Sequence, residues 1–577
     1  MTVVLINPPA AKACEPLLGI ATLKAYLAAH GVGCECIDAN AEAQEWLLDR
    51  ERIDLAVDRL ARTPGARAPR LEKLLRTWPT IRTQLDRIKA SLRSWEAYED
   101  FDRYRTAVTS LNRAFGLASA AHDAAEGSPV AATLTDYLDD RTCDMDSASV
   151  VEAARRPEAN LFTGYFREDL LPRLRALNPS VVGLSLIFRN QLVCGAVLAR
   201  LIKEALPHVH VVLGGELVSA WAEHLEHTHL PELADSILPY EGELGLLALA
   251  RALGPGGDGR LERVPNLCWR DASGAFHRNP TSKLATLAEA PAPDFSWAPW
   301  HLYFAPERTA PMVTARGCYW NRCTFCPEVV NPETRLRYAA VERLCHDLDT
   351  VHERDGVTWF HFIDSAMPPR TLKGVARHVI AGRRPYRWYG FSRLEAPLLS
   401  EGAAAELALG GCRLLMLGLE TASQRLLDGM DKKQDVGDVS RILRALHDAR
   451  ILVHAFLMFG TPREDRADAE LTRQFISDHA ECVQFMNCSL MNLARGSPMA
   501  LDPPAHGIRA VRPFEIPGRR LDLALYDNFV GEGWGRLPAR RFLHDAFLRD
   551  PRIRPSYLRT PACFDSNHSV FFHGRVF

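Results

Sequence analysis

Three thiols crowd one short stretch, Gly317-Cys318-Tyr319-Trp320-Asn321-Arg322-Cys323-Thr324-Phe325-Cys326. Four residues separate the first two cysteines and two separate the last pair. A loop this short can turn three sulfurs toward one metal centre. Three thiolates on a four-iron, four-sulfur (4Fe-4S) cluster leave one iron without a protein ligand. An open metal position is what lets a substrate or cofactor coordinate. Structural zinc is the second chemistry open to such a trio, and it asks for four ligands in a closed site. The nearest candidates for a fourth are Cys345 and His346, on a predicted helix. Three buried core thiols are the remaining reading.

The other cysteines of the 14 are scattered singly, which is no disulfide framework. Met1–Ile6 runs straight into Asn7-Pro8-Pro9 without a basic n-region or a long apolar h-region, so a cytoplasmic location is expected. The longest apolar runs, such as Val181–Phe188, are strand-length, far short of the roughly 20 residues of a membrane span. Sixty-nine basic against 71 acidic residues give a net charge of −2, so no global field gathers nucleic acid or anionic lipid. At 47% hydrophobic and 24% charged, the composition excludes a largely disordered or fibrous chain. A length of 577 residues suggests about three to four domains.

The elements that must position the trio alternate. Thr2–Ile6 reads as a strand, Leu17–His30 as a helix closed by Gly31, and Cys34–Asp38 as a second strand. Residues 42–160 carry Leu, Arg, Glu and Trp at helical spacing and read as a helical insertion, looser near Glu126–Pro129. The alternation resumes with a helix over 165–180, a buried strand at Val181–Phe188, a helix at Gln191–Leu206 and a strand at Val209–Leu213. Strands alternating with helices predict an α/β fold with a parallel, doubly wound sheet, built from 1–41 plus 161–260. Its strand-end loops, where ligands sit in such sheets, are Asn7-Pro8-Pro9, Arg189-Asn190-Gln191, Gly214-Gly215-Glu216 and Glu241-Gly242-Glu243. A linker is expected over 261–300. Over 301–500, strand-like runs near 312–316, 357–364, 387–394, 414–420, 452–459 and 482–490 make about six βα units, fewer than the eight of a closed barrel. Residues 501–577 read as a mixed C-terminal region.

The trio, with Phe325 before its last cysteine and Pro327 after it, resembles the signature loop of radical S-adenosylmethionine (SAM) enzymes. This loop has four residues between the first two cysteines where that signature has three; Gly-Cys-Tyr-Trp-x-x-Cys-Thr-Phe-Cys is similar to a variant in the cobalamin-dependent branch. The resemblance implies a partial (βα)6 barrel and a 4Fe-4S cluster on Cys318, Cys323 and Cys326. It also implies SAM contacts from Phe325, from Asp364 and Ser365, from Arg393 and Glu395, from Glu420, and from Gly460 and Pro462 of a Gly-x-Pro turn. In such enzymes the unique iron binds SAM, and an electron cleaves a carbon–sulfur bond to give methionine and a 5′-deoxyadenosyl radical.

The first sheet resembles the cobalamin (B12) domain of the same branch. The matching positions are Asn7, Pro8, Pro9 and Gly19; Ser185, Phe188, Arg189, Asn190 and Gln191; Gly214, Gly215 and Glu216; and Glu241, Gly242 and Glu243. Glycines let a backbone approach a large flat ligand. No Asp-x-His-x-x-Gly motif precedes residue 300, so no histidine is expected on cobalt, and Arg189 or Asn190 is the candidate for its lower face. The resemblance implies methylation of an unactivated carbon in a natural-product or peptide substrate. Rearrangement, cyclisation, transfer of another SAM-derived group, or a cobalamin-free enzyme remain alternatives, and a zinc- or cobalamin-binding regulatory module is the non-enzyme one. A peptide or small-molecule substrate and a reductase, flavodoxin or ferredoxin-type electron donor are the expected partners, with no nucleic acid and no membrane. Trp78, Trp95, Tyr98 and Tyr104 of the insertion are expected in the core.

Overall fold

The computed structural model describes residues 2–62, 69–329, 336–516 and 521–577. Two parallel sheets organise them. The first contains β1 (Thr2–Ile6), β2 (Gly33–Ile37), β3 (Val181–Ser185), β4 (His210–Gly214), β5 (Ser236–Leu238), β6 (Cys268–Arg270) and β7 (Phe276–Arg278), in the order β2-β1-β3-β4-β5-β6-β7. The first five are parallel. Val3, Val4, Val181 and Val182 are fully buried, as an apolar strand covered on both faces must be. The linker expected over 261–300 is in part sheet: β6 and β7 pair antiparallel and extend its edge. Each is only three residues long, and the tight turn at Asp271–Gly274 between them leaves too short a run for alternation to show.

The insertion is helical as expected, with long helices at Arg50–Arg62, Pro69–Leu92 and Phe101–Glu126; residues 63–68 lie outside the described ones. A small hairpin, Val130–Ala132 against Tyr137–Asp139, interrupts it. The predicted looseness near 126–129 is the end of the long helix, where Gly127 takes a left-handed cap.

The second sheet holds β8 (Thr309–Met312), β9 (Trp359–Phe362), β10 (Arg387–Ser392), β11 (Cys412–Glu420), β12 (Leu452–Phe459) and β13 (Phe485–Leu490), all parallel and in sequence order. Among the described residues β8 and β13 do not pair, so the six units form an open, partial barrel. Its outer face packs on helices through Phe360, Phe362, Leu415, Leu417 and Val453. Its inner face packs on the C-terminal segment. Phe571 meets Trp359 at 5.4 Å and Phe572 meets Phe485 at 6.2 Å, plugging the barrel at the strands' N-terminal end. Trp78, Tyr98 and Tyr104 are buried as expected, whereas Trp95 is 40% exposed. Both tyrosine hydroxyls reach His568 Nδ1, at 3.2 and 2.9 Å, so the insertion clamps the plug from behind.

The end of β4 shows how tightly the first sheet's loops are stitched. Leu186 N–H donates to Gly214 O at 2.8 Å, and Leu217 N–H donates to Leu186 O at 3.1 Å. Gly215 lies between them at φ +104°, and a Cβ there would meet Leu186 O at 2.3 Å. Gly215→Ala is therefore expected to cost about 2–3 kcal/mol. A thermal melt followed by circular dichroism should show Tm lowered by several degrees, while Gly19→Ala, in open space on the helix Leu18–Ala29, should not lower it.

Candidate functional site

The cysteine loop leaves the top of β8 and is bracketed by two short strands, Ala315–Arg316 and Arg337–Tyr338, paired antiparallel. Asp364, one residue beyond Ile363 at the end of β9, fixes the loop's base. Its carboxylate accepts from Thr314 N (2.9 and 3.1 Å), Thr314 Oγ1 (2.7 Å) and Ala315 N (2.8 Å). Burial pushes this carboxyl up to about 6, against those hydrogen bonds. Asp364 is thus buried with its carboxylate on the loop's backbone, and Ser365 beside it is exposed.

The loop's far side docks on residues 428–433. Trp320 Nε1 donates to Asp431 O (2.9 Å), Arg322 Nε to Asp431 Oδ2 (3.0 Å) and Thr324 N to Met430 O (3.1 Å). Phe325 packs among Leu426, Met430, Met491 and Met499, an apolar anchor next to the last cysteine. Arg393, buried, lies 4.1 Å over the Trp320 ring, 3.9 Å from Cys323 Sγ and 3.9 Å from Glu395, and donates to Lys432 O. Glu395 also accepts from the Tyr319 hydroxyl. Lys432, which sequence reasoning did not single out, is buried and donates to Glu420 Oε1 and Gly418 O, each at 2.9 Å. The β11–β12 register shifts between Gly418 and Glu420, and Glu420 sits at φ +63°. That irregularity aims its carboxylate at the lysine.

These residues bear on the thiols. Burial raises the Cys323 thiol above its usual range, while Lys432 and Arg393 pull the other way. Burial pushes Cys326 up to about 11, opposed by a hydrogen bond from the Glu328 backbone. Three half-buried thiols on one loop, with Lys432 and Arg393 beside Cys323, suit thiolate ligands of a metal centre. Among the described residues no three His, Cys, Asp or Glu side chains are gathered closely enough to be counted as a single-ion site. Cys345 and His346 line a surface recess with Asp349 and His378 that the loop's cysteines do not share, so the zinc alternative finds no fourth ligand there.

Gly460 takes φ +73° and Pro462 is buried, as a tight strand-end turn requires. Glu464, also missed in the sequence, accepts from Thr461 N at 2.8 Å, and burial pushes its carboxyl up to about 7.

The residues assigned to cobalamin divide. Gly19, at the start of the first helix, and Ser185, Phe188, Gly214, Gly215 and Glu216, at or just past strand ends, remain at least partly exposed, with Phe188 48% exposed. The others have protein partners in this structure. Gln191 Nε2 donates to Asn7 Oδ1 (2.8 Å) and Pro8 O (2.7 Å), and Asn7 Nδ2 to Asp38 Oδ1 (2.9 Å). Pro8 and Pro9 are buried. Arg189 pairs with Asp144 at 2.8 Å and Asn190 with Asp136 at 2.7 Å, both at the surface. Gly242 packs on Leu23. Glu241 meets Arg316 at 2.7 Å and Arg337 at 3.1 Å, and buried Glu243 pairs with Arg316. The two arginines are those of the short strands around the cysteine loop, so these carboxylates clamp the two sheets together.

Residues 134–250 match the family described as the B12 binding domain. The match begins inside the segment expected as insertion and takes in β3 to β5. Among curated proteins, an uncharacterized methyltransferase of Pyrococcus horikoshii is 25% identical over 315 residues, 53% of this chain and 66% of that protein. The cytidylyl-2-hydroxyethylphosphonate methyltransferase of Streptomyces wedmorensis is 22% identical over 342 residues, 52% of this chain and 61% of that protein. The chain thus spans less than two-thirds of either relative. Among solved structures, the cobalamin-dependent SAM radical enzyme OxsB with aqua-cobalamin bound aligns over 92% of this chain and 64% of its own, with a TM-score of 0.57 and 12% identity. The radical SAM methyltransferase TsrM of Kitasatospora setae, with tryptophan and a SAM analogue bound, aligns over 90% and 79%, with a TM-score of 0.54 and 14% identity. The chain has the fold of cobalamin-dependent radical SAM enzymes. Both sheets of that fold are present, and the first carries the B12 binding domain match. No described helix is long and apolar enough to cross a membrane.

The raised Glu464 carboxyl sets a pH dependence. Its folded pKa of about 7 exceeds the ordinary 4.5. The folded state therefore binds the proton more tightly, and stability falls as pH rises from about 4.5 to 7. Glu464→Gln removes the titrating group and keeps an acceptor for Thr461 N–H. Melts from pH 4.5 to 8 should show wild type losing Tm relative to the variant up to pH 7 and staying constant above it.

Proposed function

We propose that the chain is a cobalamin-dependent radical SAM enzyme that methylates an unactivated carbon of a natural-product or peptide substrate. The observation that carries this reading is the cysteine loop, held at the mouth of an open six-strand barrel and clamped by Arg316 and Arg337 to a sheet that matches the B12 binding domain. When bound, a 4Fe-4S cluster with SAM would supply a 5′-deoxyadenosyl radical and cobalamin a methyl group.

The chain's own residues bind, orient and shield. Cys318, Cys323 and Cys326 hold the cluster, with Arg393 and Lys432 offsetting negative charge beside Cys323. Phe325 anchors the loop, and Glu395, Glu420 and the turn at Gly460 and Pro462 line the rim where SAM would lie. Ser365, exposed at the end of β9, is available to it. Gly214 and Gly215 let the first sheet's backbone approach cobalamin, flanked by Ser185, Phe188 and Glu216. Hydrogen abstraction by a radical needs no base, so no acid–base pair is assigned. A low-potential donor of flavodoxin or ferredoxin type would supply the electron in a cytoplasmic setting. Both curated relatives are named methyltransferases, which favours methylation over rearrangement or cyclisation with the same parts.

The test is metal content by mass spectrometry on protein purified without oxygen from cobalamin-fed cells. The expected result is about four iron per chain with stoichiometric cobalt, and a Cys323→Ser variant that loses iron but keeps cobalt. Iron without cobalt would remove the methyl-transfer step. Stoichiometric zinc without iron would overturn the enzyme reading.

A further inference from the structure

The barrel lumen holds a polar cluster that neither the cysteine loop nor the strand-end motifs use. Register defines the inner face: His361 lies beside Tyr389, Tyr389 beside Leu414, Leu414 beside Leu452, and His454 beside Phe485. Tyr389, Leu414, Leu452 and Phe485 share their core with the C-terminal plug, not with the outer helices. Toward the strands' C-terminal ends the lumen opens. Phe391 and Phe456 are half-buried, Ile363 is 40% exposed and Ser489 is exposed. The lumen's exposed end is the one that carries Arg393 and Glu420.

His361 lies in its floor, 6% exposed. Its ring stacks on Tyr389 at 4.4 Å, nearly parallel. Its Nδ1 faces both oxygens of Glu15, at 2.9 and 3.1 Å, and Glu15 Oε1 also accepts from Asn567 Nδ2 at 2.9 Å. A carboxylate only accepts, so Nδ1 carries a hydrogen, and in the neutral imidazole Nε2 then presents a lone pair. That buried Nε2 has no hydrogen-bond partner. Glu15 comes from the loop after β1 in the other sheet, and Asn567 from the C-terminal plug. Three distant segments therefore converge on one ring, held through Nδ1, whose second nitrogen is left unpaired. Buried polar atoms without partners are rare in folded proteins, and each asks for an explanation.

The neighbouring groups add no net charge to the floor. Lys12 is offset by Asp565 at 3.4 Å. Burial lowers His454, on another inner strand, to about 3, so its ring is neutral.

We propose that His361 Nε2 is an anchoring point for the substrate, accepting a hydrogen bond from an uncharged hydroxyl or N–H on an otherwise apolar group. It rests on the reading of this barrel as the reaction chamber and adds a chemical class to it. An anion is disfavoured, because it would meet a lone pair backed by the Glu15 carboxylate. His361 is a positioning residue, and Glu15 and Asn567 act through it.

The test uses the full-length protein and three matched probes: benzyl alcohol, benzyl methyl ether and benzoate, titrated by ligand-observed NMR. The alcohol should bind about tenfold more tightly than the ether, as one gained hydrogen bond predicts, and benzoate more weakly than either. His361→Phe, which keeps the ring stack, should bring the alcohol down to the level of the ether. His361→Gln, with an amide acceptor, should restore part of the preference. Equal binding of alcohol and ether by wild type, a preference for benzoate, a preference that survives in His361→Phe, or no binding of the alcohol at millimolar concentration would each overturn the proposal. Should the Phe variant fail to fold, the wild-type comparison decides alone. None of these titrations needs bound metal, so their failure is distinct from a failure of the iron and cobalt test.

Discussion

A charge cannot be buried alone, and the junction of the two sheets depends on that constraint. Glu243 is almost fully enclosed, and Glu241 beside it is largely so. An unpaired carboxylate at that depth would cost several kcal/mol. The arginines that answer them, Arg316 and Arg337, belong to the short strands on either side of the cysteine loop. The loop therefore cannot leave the first sheet without exposing two carboxylates and two guanidinium groups to unpaired burial. The two αβ units already share one hydrophobic cluster through the barrel's inner face, and these ion pairs add a second tie at the point where the chemistry is expected.

The rest of the loop's placement follows the same logic. Asp364 gathers the backbone of Thr314 and Ala315 at the loop's base. Residues 430 and 431 receive Thr324 and Trp320 on its far side. Lys432, held by Glu420 and Gly418, brings a buried cation toward Cys323. The loop is thus gripped at three places by groups supplied by the fold. A thiol trio held this way is preorganised, so less of the binding energy of a cofactor goes into ordering the loop.

The strands and the trio were legible in the sequence because they obey local rules. Buried parallel strands are apolar runs, as at Val181–Ser185, and three cysteines in nine residues are visible without a structure. The strand-end polar residues were not legible in the same way. Asp364, Glu241, Glu243, Asn7 and Gln191 occupy the positions where ligand contacts occur in such folds, and all five are spent on protein partners. A polar side chain at a strand end can face a ligand or a neighbouring segment. The choice is made by residues far along the chain, such as Arg316 for Glu243, 73 positions away. Lys432 and His361 were missed for the converse reason: a buried lysine and a strand histidine carry no local mark of their surroundings. The short antiparallel strands at 268–278 fell below the length at which alternation can be read.

One consequence concerns how the site tolerates change. The exposed positions Gly19, Phe188 and Ser365 contribute little to the fold, so substitutions there act on whatever occupies the crevice. The committed positions do the reverse. Altering Glu243 or Asp364 removes support from the cysteine loop before it removes any contact with a cofactor, so a loss of activity there would report on architecture. His361 lies between the two classes. Its Nδ1 is structural, fixed by Glu15, while its Nε2 has no hydrogen-bond partner. Removing the ring and replacing its acceptor separate these two roles, because packing follows the ring and recognition follows the lone pair.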